Sequence, residues 1–263
     1  HDPDKEPYAT FDRATGEENA TNETHKECWH LHSKAFSEWL SYQLYQAEGY
    51  APSEASMRST IATLTGAAKF EGEEKPVYIR TALNDGAYWL DLCNEHWQAV
   101  KITASGWQVI NHPSVMFTRS SSMRPLPRPE NGGDFSALWE VANIPEADRL
   151  DVLAWLLECW RPDTPYVVLE LTGEQGSAKT STQEALRDLV DPNMANCRAA
   201  PKAVEDVWVM ARNSHMVSFE NLSHLSASYQ DALCVLATGG GFAARTLYTN
   251  ADETVLNVKK PVV

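Results

Sequence analysis

The feature that most constrains this chain is a glycine turn between a short apolar segment and a helical pattern. The apolar segment runs from Tyr166 to Leu171, and the turn has the sequence Gly-Glu-Gln-Gly-Ser-Ala-Lys-Thr over residues 173–180. A helical pattern follows from Ser181 to Val190. This order matches the phosphate-binding loop G-x-x-x-x-G-K-[ST], with Ala178 in place of the second glycine. We expect ordinary helical dihedrals at Ala178, which would make alanine acceptable there.

The order of residues in the loop has a chemical explanation. Successive backbone N–H groups of such a turn, together with the N-terminus of the next helix, form a concave anion site. Lys179 would reach the β- and γ-phosphates, and the Thr180 hydroxyl would ligate Mg²⁺. We therefore predict ATP and Mg²⁺ as ligands; the alternative is a chance turn between a strand and a helix. The predicted ATP-binding residues are Gly173, Glu174, Gln175, Gly176, Ser177, Ala178, Lys179, Thr180 and Ser181.

A second segment supplies the carboxylate that such a loop requires. The mostly apolar run Met216–Phe219 predicts a strand, and Glu220 follows at its carboxyl end, where ligand sites of α/β proteins lie. Glu220 would hold Mg²⁺ together with Thr180 or polarise the attacking water, and Asn221 would orient either one. We predict Lys179, Glu220 and Asn221 as catalytic residues. The strands Val167–Leu171 and Met216–Phe219 should then lie side by side; the alternative is a half-exposed glutamate at a strand end.

A third segment is a candidate for contact with nucleic acid. A helical pattern ends at Gly239–Gly241, a strand with Arg245 follows, and a turn at Asn250–Asp252 precedes a returning strand. The triple glycine would let this hairpin change its direction. The candidate DNA contacts are Arg245, Lys259 and Lys260. The alternative for Arg245 is an ion pair with Asp231 or Glu253 that braces the hairpin.

Bulk properties restrict the class of protein. The formal net charge of −14 at pH 7 disfavours binding of nucleic acid by bulk attraction, so any such contact must be local. No apolar run is long enough to span a membrane. The five scattered cysteines form no C-x-x-C pair. Acidic and polar residues follow His1, so we expect no signal peptide. We therefore expect a cytoplasmic protein with reduced thiols and no membrane partner, and we expect this chain to be a piece of a longer one.

The remaining patterns divide the chain into three parts. Residues 1–75 predict a mainly helical region, with a loop or short hairpin before its helices and a charged linker from Lys69 to Lys75. Residues 76–130 predict an antiparallel β-meander and a connector rich in proline and arginine. Residues 131–263 predict a P-loop ATPase domain that is truncated at its C-terminal end. A zinc site is an alternative for one cluster whose spacing fits no standard motif, namely His25, Cys28, His30 and His32.

Taken in order, these segments resemble the superfamily III helicases, and more closely the prophage and plasmid ATPases similar to phage- and poxvirus-type primase-helicases. Residues 173–180 resemble motif A, and residues 217–221 resemble motif B. Residues 233–248 resemble motif B′, and residues 260–263 resemble the start of motif C. The resemblance covers roughly residues 135–263. It implies an AAA+-like α/β P-loop core, preceded here by a small helical and antiparallel β region.

The resemblance also implies a function. It implies a hexameric ring that hydrolyses ATP between its subunits. Such a ring pulls single-stranded DNA through its pore with the motif B′ hairpin. This chain has Cys234 at the lysine position of motif B′, Gly241 at its aspartate position, and Asn221 where many members have a second acid. We therefore predict an ATP-driven DNA helicase or translocase for replication of a mobile genetic element. The alternatives are a P-loop switch or loader that does not unwind DNA, a scaffold with a decayed loop, and a small-molecule kinase.

Overall fold

The structure, a computed structural model, describes residues 1–14, 24–199, 201, 203–222, 224–245 and 253–263. Within these ranges the helices are α1 Lys34–Glu48, α2 Glu54–Phe70, α3 Ser136–Val141, α4 Arg149–Cys159, α5 Lys179–Val190, α6 Val204–Asn213 and α7 Ala227–Thr238. The strands are β1 Tyr8–Ala14, β2 Thr24–His30, β3 Val77–Tyr78, β4 Thr81–Asn84, β5 Ala87–Asp91, β6 Ala99–Thr103, β7 Gly106–Ile110, β8 Met116–Phe117, β9 Arg198–Ala199, β10 Phe219–Glu220, β11 Gly240–Arg245 and β12 Glu253–Val258.

The N-terminal region combines a hairpin with two helices. Strands β1 and β2 pair antiparallel, so the hairpin is longer than the one expected at the start of the chain. Ser33 caps α1 and Ser53 caps α2, each through its side chain, and Gly49 ends α1 in the left-handed conformation. The predicted linker from Lys69 is wrong at its start, because α2 continues to Phe70.

The predicted meander is confirmed as an antiparallel sheet in the order β4-β5-β6-β7. Asp85 and Gly86 both have positive φ in the turn between β4 and β5, as a type I′ hairpin requires. The segment after the meander is packed against it. Its strand β8 pairs parallel with β3, and Arg119 forms an ion pair with Asp91 at 2.6 Å.

Short parallel pairings organise the C-terminal half. Val262 forms a parallel bridge with Val168 on one side and with Val217 on the other. Beyond Val217, β10 pairs parallel with β9. The predicted neighbourhood of the 167–171 and 216–219 segments is therefore wrong, because the segment around Val262 lies between them. Only single bridges form at Val168 and Val217, so each strand is shorter than the sequence pattern predicts.

Helices pack on both faces of these parallel segments. One apolar cluster joins α3, α4 and α5 to Met216 and Val263. A second cluster joins α6 and α7 to Val217 and Val262. Neighbouring residues of an extended segment point to opposite faces, which explains why Met216 and Val217 enter different clusters. The result is a layer of parallel segments between two layers of helices.

Candidate functional site

The loop of residues 173–180 turns through three positions with positive φ. These φ angles are 155° at Gly173, 82° at Gly176 and 60° at Ala178. The expectation of ordinary helical dihedrals at Ala178 is wrong: with ψ of 25° it has the left-handed conformation directly before α5. At Gly173 the φ angle favours glycine, and a Cβ atom there would also lie 2.9 Å from Ser177 Oγ, so that side chain would have to move.

Lys179 begins α5 and folds back over the loop. Its Nζ donates to the carbonyl oxygens of Gly173 at 2.8 Å and Glu174 at 2.7 Å. The neighbouring Thr180 is exposed. The ammonium group therefore lies against the backbone of the turn at Gly173 and Glu174. An anion bound in the loop would offer this ammonium stronger, charged acceptors than the two carbonyl groups.

A residue outside the motif holds the loop from the side. The backbone N–H of Asn143 donates to Thr182 Oγ1 at 2.9 Å, and Asn143 Nδ2 donates to the Ser177 carbonyl oxygen at 3.0 Å. Sequence patterns did not single out Asn143, which lies between α3 and α4. Its proximity to the loop depends on the packing of α3 against α5.

Gln183 connects α5 to the acidic segment. Its buried Nε2 lies 2.8 Å from Ser218 Oγ, 2.7 Å from the Phe219 carbonyl oxygen and 3.2 Å from the Val263 carbonyl oxygen. Gln183 follows Lys179 by four residues, so the two side chains lie on the same face of α5. The structure thus attaches the helix of the glycine loop to the end of β10, where Glu220 lies.

Glu220 and Asn221 occupy the predicted strand end. Glu220 is half-buried and pairs with Ala199 in β9, whereas Asn221 is exposed. Asn221 has a φ of 56°, a conformation that asparagine adopts more readily than most residues. The chain therefore turns sharply after Glu220, and its carboxylate lies at the carboxyl end of the parallel segments.

The DNA-contact candidates lie on or beside the predicted hairpin. Strands β11 and β12 pair antiparallel, and the register places Arg245 opposite Glu253. The predicted turn Asn250–Asp252 lies outside the described residues. Lys259 packs along Gly239, where a Cβ atom would lie 3.4 Å from Lys259 Cδ. Lys260 is half-buried, and burial lowers its pKa to about 8.

A network of buried charges lies behind α5, centred on Asp191. Its carboxylate accepts from Arg80 Nε at 3.0 Å and from the backbone N–H groups of His215 and Met216 at 2.9 and 3.0 Å. Arg187 Nε donates to the Asp191 carbonyl oxygen at 3.1 Å. Burial raises the pKa of Asp191, but Arg80 and the other donors outweigh it and the net pKa is lowered. Sequence patterns did not identify this network.

The residues considered as a zinc site, His25, Cys28, His30 and His32, do not converge on one point, and two of the histidines contact carboxylates instead. His25 Nε2 lies 3.0 Å from Glu27, and His30 Nε2 lies 2.9 Å from Glu6. Cys28 is buried, which raises its pKa to about 12. Among the residues that the structure describes, no group of three or more His, Cys, Asp or Glu side chains is placed to hold a metal ion.

A cavity of about 620 Å³ also lies in the N-terminal region. Its lining includes Thr10, Asp12 and Lys26 of the β1–β2 hairpin, residues 112–117 with Trp97, and residues between Ala68 and Val77. Its lining includes no residue of the glycine loop or of the 218–221 segment. Cavity and loop are therefore separate features.

Comparison with protein families gave a match for the part of the chain that carries the loop. Residues 136–263, just under half of the chain, match the family model of the actinomycete integrative conjugative element replication protein. The match relates this part of the chain to replication proteins of mobile elements. Searches of curated proteins and of solved structures gave no match. In the described part of the chain, no helix has the length and apolar character needed to cross a membrane.

Proposed function

We propose that this protein binds Mg²⁺·ATP in the loop of residues 173–180 and hydrolyses it to drive a DNA helicase or translocase in the replication of a mobile element. The observation that carries the proposal is the link made by Gln183, which joins the helix of the loop to the peptide bond before Glu220. The helix that follows the glycine loop is thereby hydrogen-bonded to the backbone next to the carboxylate-bearing residue.

The surrounding architecture supports an α/β P-loop core. The loop joins the extended segment at Val168 to α5, and Val168, Val262 and Val217 form a parallel series between helical layers. Loops at the carboxyl ends of parallel strands are the usual ligand sites of open α/β sheets. Both the glycine loop and Glu220 follow the carboxyl ends of such segments.

Each residue has a role in this proposal. The loop N–H groups and the N-terminus of α5 bind the phosphates, and Lys179 exchanges its two carbonyl partners for phosphate oxygens. Thr180 supplies its exposed hydroxyl to Mg²⁺, which neutralises phosphate charge when bound. Glu220 holds the metal's water shell or activates the attacking water, and Asn221 orients either one.

The mobile-element context of the proposal comes from the match over residues 136–263. Unwinding would require a homo-oligomeric ring, for which a hexamer is the expectation, with single-stranded DNA as a partner. The partial burial of Lys260 is an observation that favours the second candidate, a switch or loader that does not unwind DNA. The half-buried Lys260 side chain and the net charge of −14 leave less cationic surface for a DNA path.

Hydrolysis and strand displacement together test the proposal. We expect Mg²⁺-dependent ATP turnover that Lys179→Ala abolishes, with a circular dichroism spectrum and Tm close to those of wild type, because the ammonium group of Lys179 donates to carbonyl oxygens of its own loop. The matched control is Lys34→Ala on α1, whose side chain is 90% exposed. ATP turnover without displacement of a DNA strand would select the loader. Absence of ATP binding by the wild type would overturn both candidates.

A further inference from the structure

We propose that Gln183 is a positioning residue that sets the orientation of Glu220 relative to the phosphate loop; this inference rests on the proposed ATPase function. The carbonyl oxygen that Gln183 Nε2 approaches at 2.7 Å belongs to the peptide bond that joins Phe219 to Glu220. A hydrogen bond to that oxygen fixes the plane of the peptide from which the catalytic carboxylate extends.

The surroundings of Gln183 make this contact specific. Three oxygens, from Ser218, Phe219 and Val263, lie within 3.2 Å of one amide nitrogen. All of them can accept, and the two carbonyl oxygens can only accept, so the site requires a donor. The Gln183 residue is 6% exposed, which keeps water from replacing the amide. A buried carbonyl group without a donor is costly, so the local backbone should shift when the amide is removed.

The position of Gln183 in α5 links its contact with the Phe219 peptide to the residues assigned to phosphate and Mg²⁺. Lys179 lies one helical turn earlier on the same face, and Thr180 precedes Gln183 by three residues. A single rigid helix thus carries both the groups assigned to phosphate and Mg²⁺ and the amide that orients the carboxylate. Any displacement of α5 by bound nucleotide would be transmitted directly to the peptide of Glu220.

The decisive variant is Gln183→Met, which keeps the length and approximate volume of the side chain and removes the amide donor. We expect kcat for ATP to fall by about 10- to 100-fold, as for other small misplacements of reacting groups, while the Kd for Mg²⁺·ATP changes less than about threefold. Gln230→Met on α7 is the matched control, because Gln230 Nε2 also donates to a carbonyl oxygen, that of Leu225, but at an exposed position. It should retain wild-type kcat.

A double-mutant cycle with Glu220→Gln separates positioning from a loss of stability. If Gln183 acts through Glu220, adding Gln183→Met to Glu220→Gln should lower kcat no further. Thermal unfolding of each variant reports structural damage separately. The proposal would be overturned if the falls in kcat caused by the two substitutions multiplied independently in the double variant. It would also be overturned if folded Gln183→Met kept the wild-type kcat. Either result would leave the ATPase function intact. A wild-type protein that fails to hydrolyse ATP would overturn both.

Discussion

Arg80 and Asp191 form a fully buried ion pair between the meander and the end of α5, with Arg80 Nε 3.0 Å from Asp191 Oδ1. Arg80 also donates to the carbonyl oxygens of Asp91 and Arg124. The pair therefore joins the meander, the segment after it and the C-terminal end of α5. Its two residues are 111 positions apart in sequence, so it forms only when both halves of the chain are folded.

The first prediction concerns the stability of this pair. Asp191→Asn leaves Arg80 and Arg187 buried without their carboxylate, which should lower the free energy of unfolding by about 3–5 kcal/mol. Asp188→Asn is the matched control: Asp188 is an exposed residue of the same helix, and its substitution should cost less than about 1 kcal/mol. Urea unfolding of both variants provides the measurement. Equal stability of the two variants would contradict a structural role for the pair.

The second prediction is a fall in stability under mildly acidic conditions caused by His215. Its Nε2 lies 2.6 Å from the Cys159 carbonyl oxygen, so this nitrogen carries the proton and the neutral ring accepts at Nδ1 from Thr81. Burial, followed by the charge of Lys260, lowers the pKa of His215 to about 4. The unfolded chain therefore binds the proton first as pH falls, and stability should decline from about pH 6.5 to pH 4 by up to about 3 kcal/mol.

His215→Gln tests this assignment, because glutamine keeps a donor for Cys159 and does not titrate. The slope of unfolding free energy against pH should become shallower between about pH 4.5 and 6.5 in this variant. Below that window Glu6 and Asp191 contribute as well: their folded pKa values are lowered, so their stabilisation disappears only as they become protonated at lower pH. An unchanged slope would assign the pH dependence to other groups.

The loop offers a third prediction, because Ala178 has a left-handed conformation that costs an ordinary residue about 1–2 kcal/mol. Ala178→Gly removes this strain, but glycine gains about 0.4–1 kcal/mol of conformational entropy in the unfolded chain. We expect a net stabilisation of about 0.5–1 kcal/mol in urea unfolding. The same substitution at Ala185, inside α5, should destabilise by a similar amount. Destabilisation at both sites would contradict the left-handed conformation of Ala178.

These residues also show how far sequence reasoning extends. The glycine turn, its lysine and threonine, and the acid at the end of a later apolar run were visible because each belongs to a short, ordered pattern. The dihedrals of Ala178 were not, since the residue type favours the opposite expectation. Gln183 and Asp191 have no local signal in the sequence. Gln183 contacts Ser218, 35 residues away, and Asp191 contacts Arg80, 111 residues away, so their roles become visible only in the folded chain.

The same distinction applies to the order of the parallel segments. Hydrophobic runs predicted extended segments near Val168 and Val217, but spacing along the chain does not determine which segments become neighbours. The placement of Val262 between them follows from its hydrogen bonds: its carbonyl accepts from Leu169, and the adjacent Pro261 and Val263 pair with Val217. Such pairing is a property of the whole fold.

A fourth prediction distinguishes the role of Glu220 from that of Lys179. Glu220→Gln keeps the size of the side chain and removes its charge, so Mg²⁺·ATP should still bind while kcat falls by about 100-fold or more. Equilibrium binding of a fluorescent ATP analogue and steady-state hydrolysis provide the two measurements, with Glu205→Gln on the exposed face of α6 as the control. Failure of Glu220→Gln to bind the analogue would instead identify the carboxylate mainly as a metal ligand.

The fifth prediction concerns single-stranded DNA and the hairpin of β11 and β12. Because the chain is acidic, we expect any DNA path to depend on a few local cations repeated around an assembled ring. Arg245 lies on the first strand, with Glu253 opposite it in the register. Two alternative roles for Arg245 follow from this register. Arg245 would either contact a DNA phosphate or brace the hairpin through an ion pair with Glu253.

Arg245→Ala separates these roles through the salt dependence of DNA binding. If Arg245 contacts a phosphate, the affinity of the ATP-analogue-bound protein for single-stranded DNA should fall, and the slope of log K against log salt should become shallower by roughly 0.7 for each phosphate that is no longer neutralised. Arg58→Ala on α2, an exposed arginine next to Glu54, is the matched control and should change neither quantity. Unchanged affinity and slope in Arg245→Ala would remove this arginine from the DNA path. That result would favour the bracing role, and with it a loader that uses ATP without tracking along DNA.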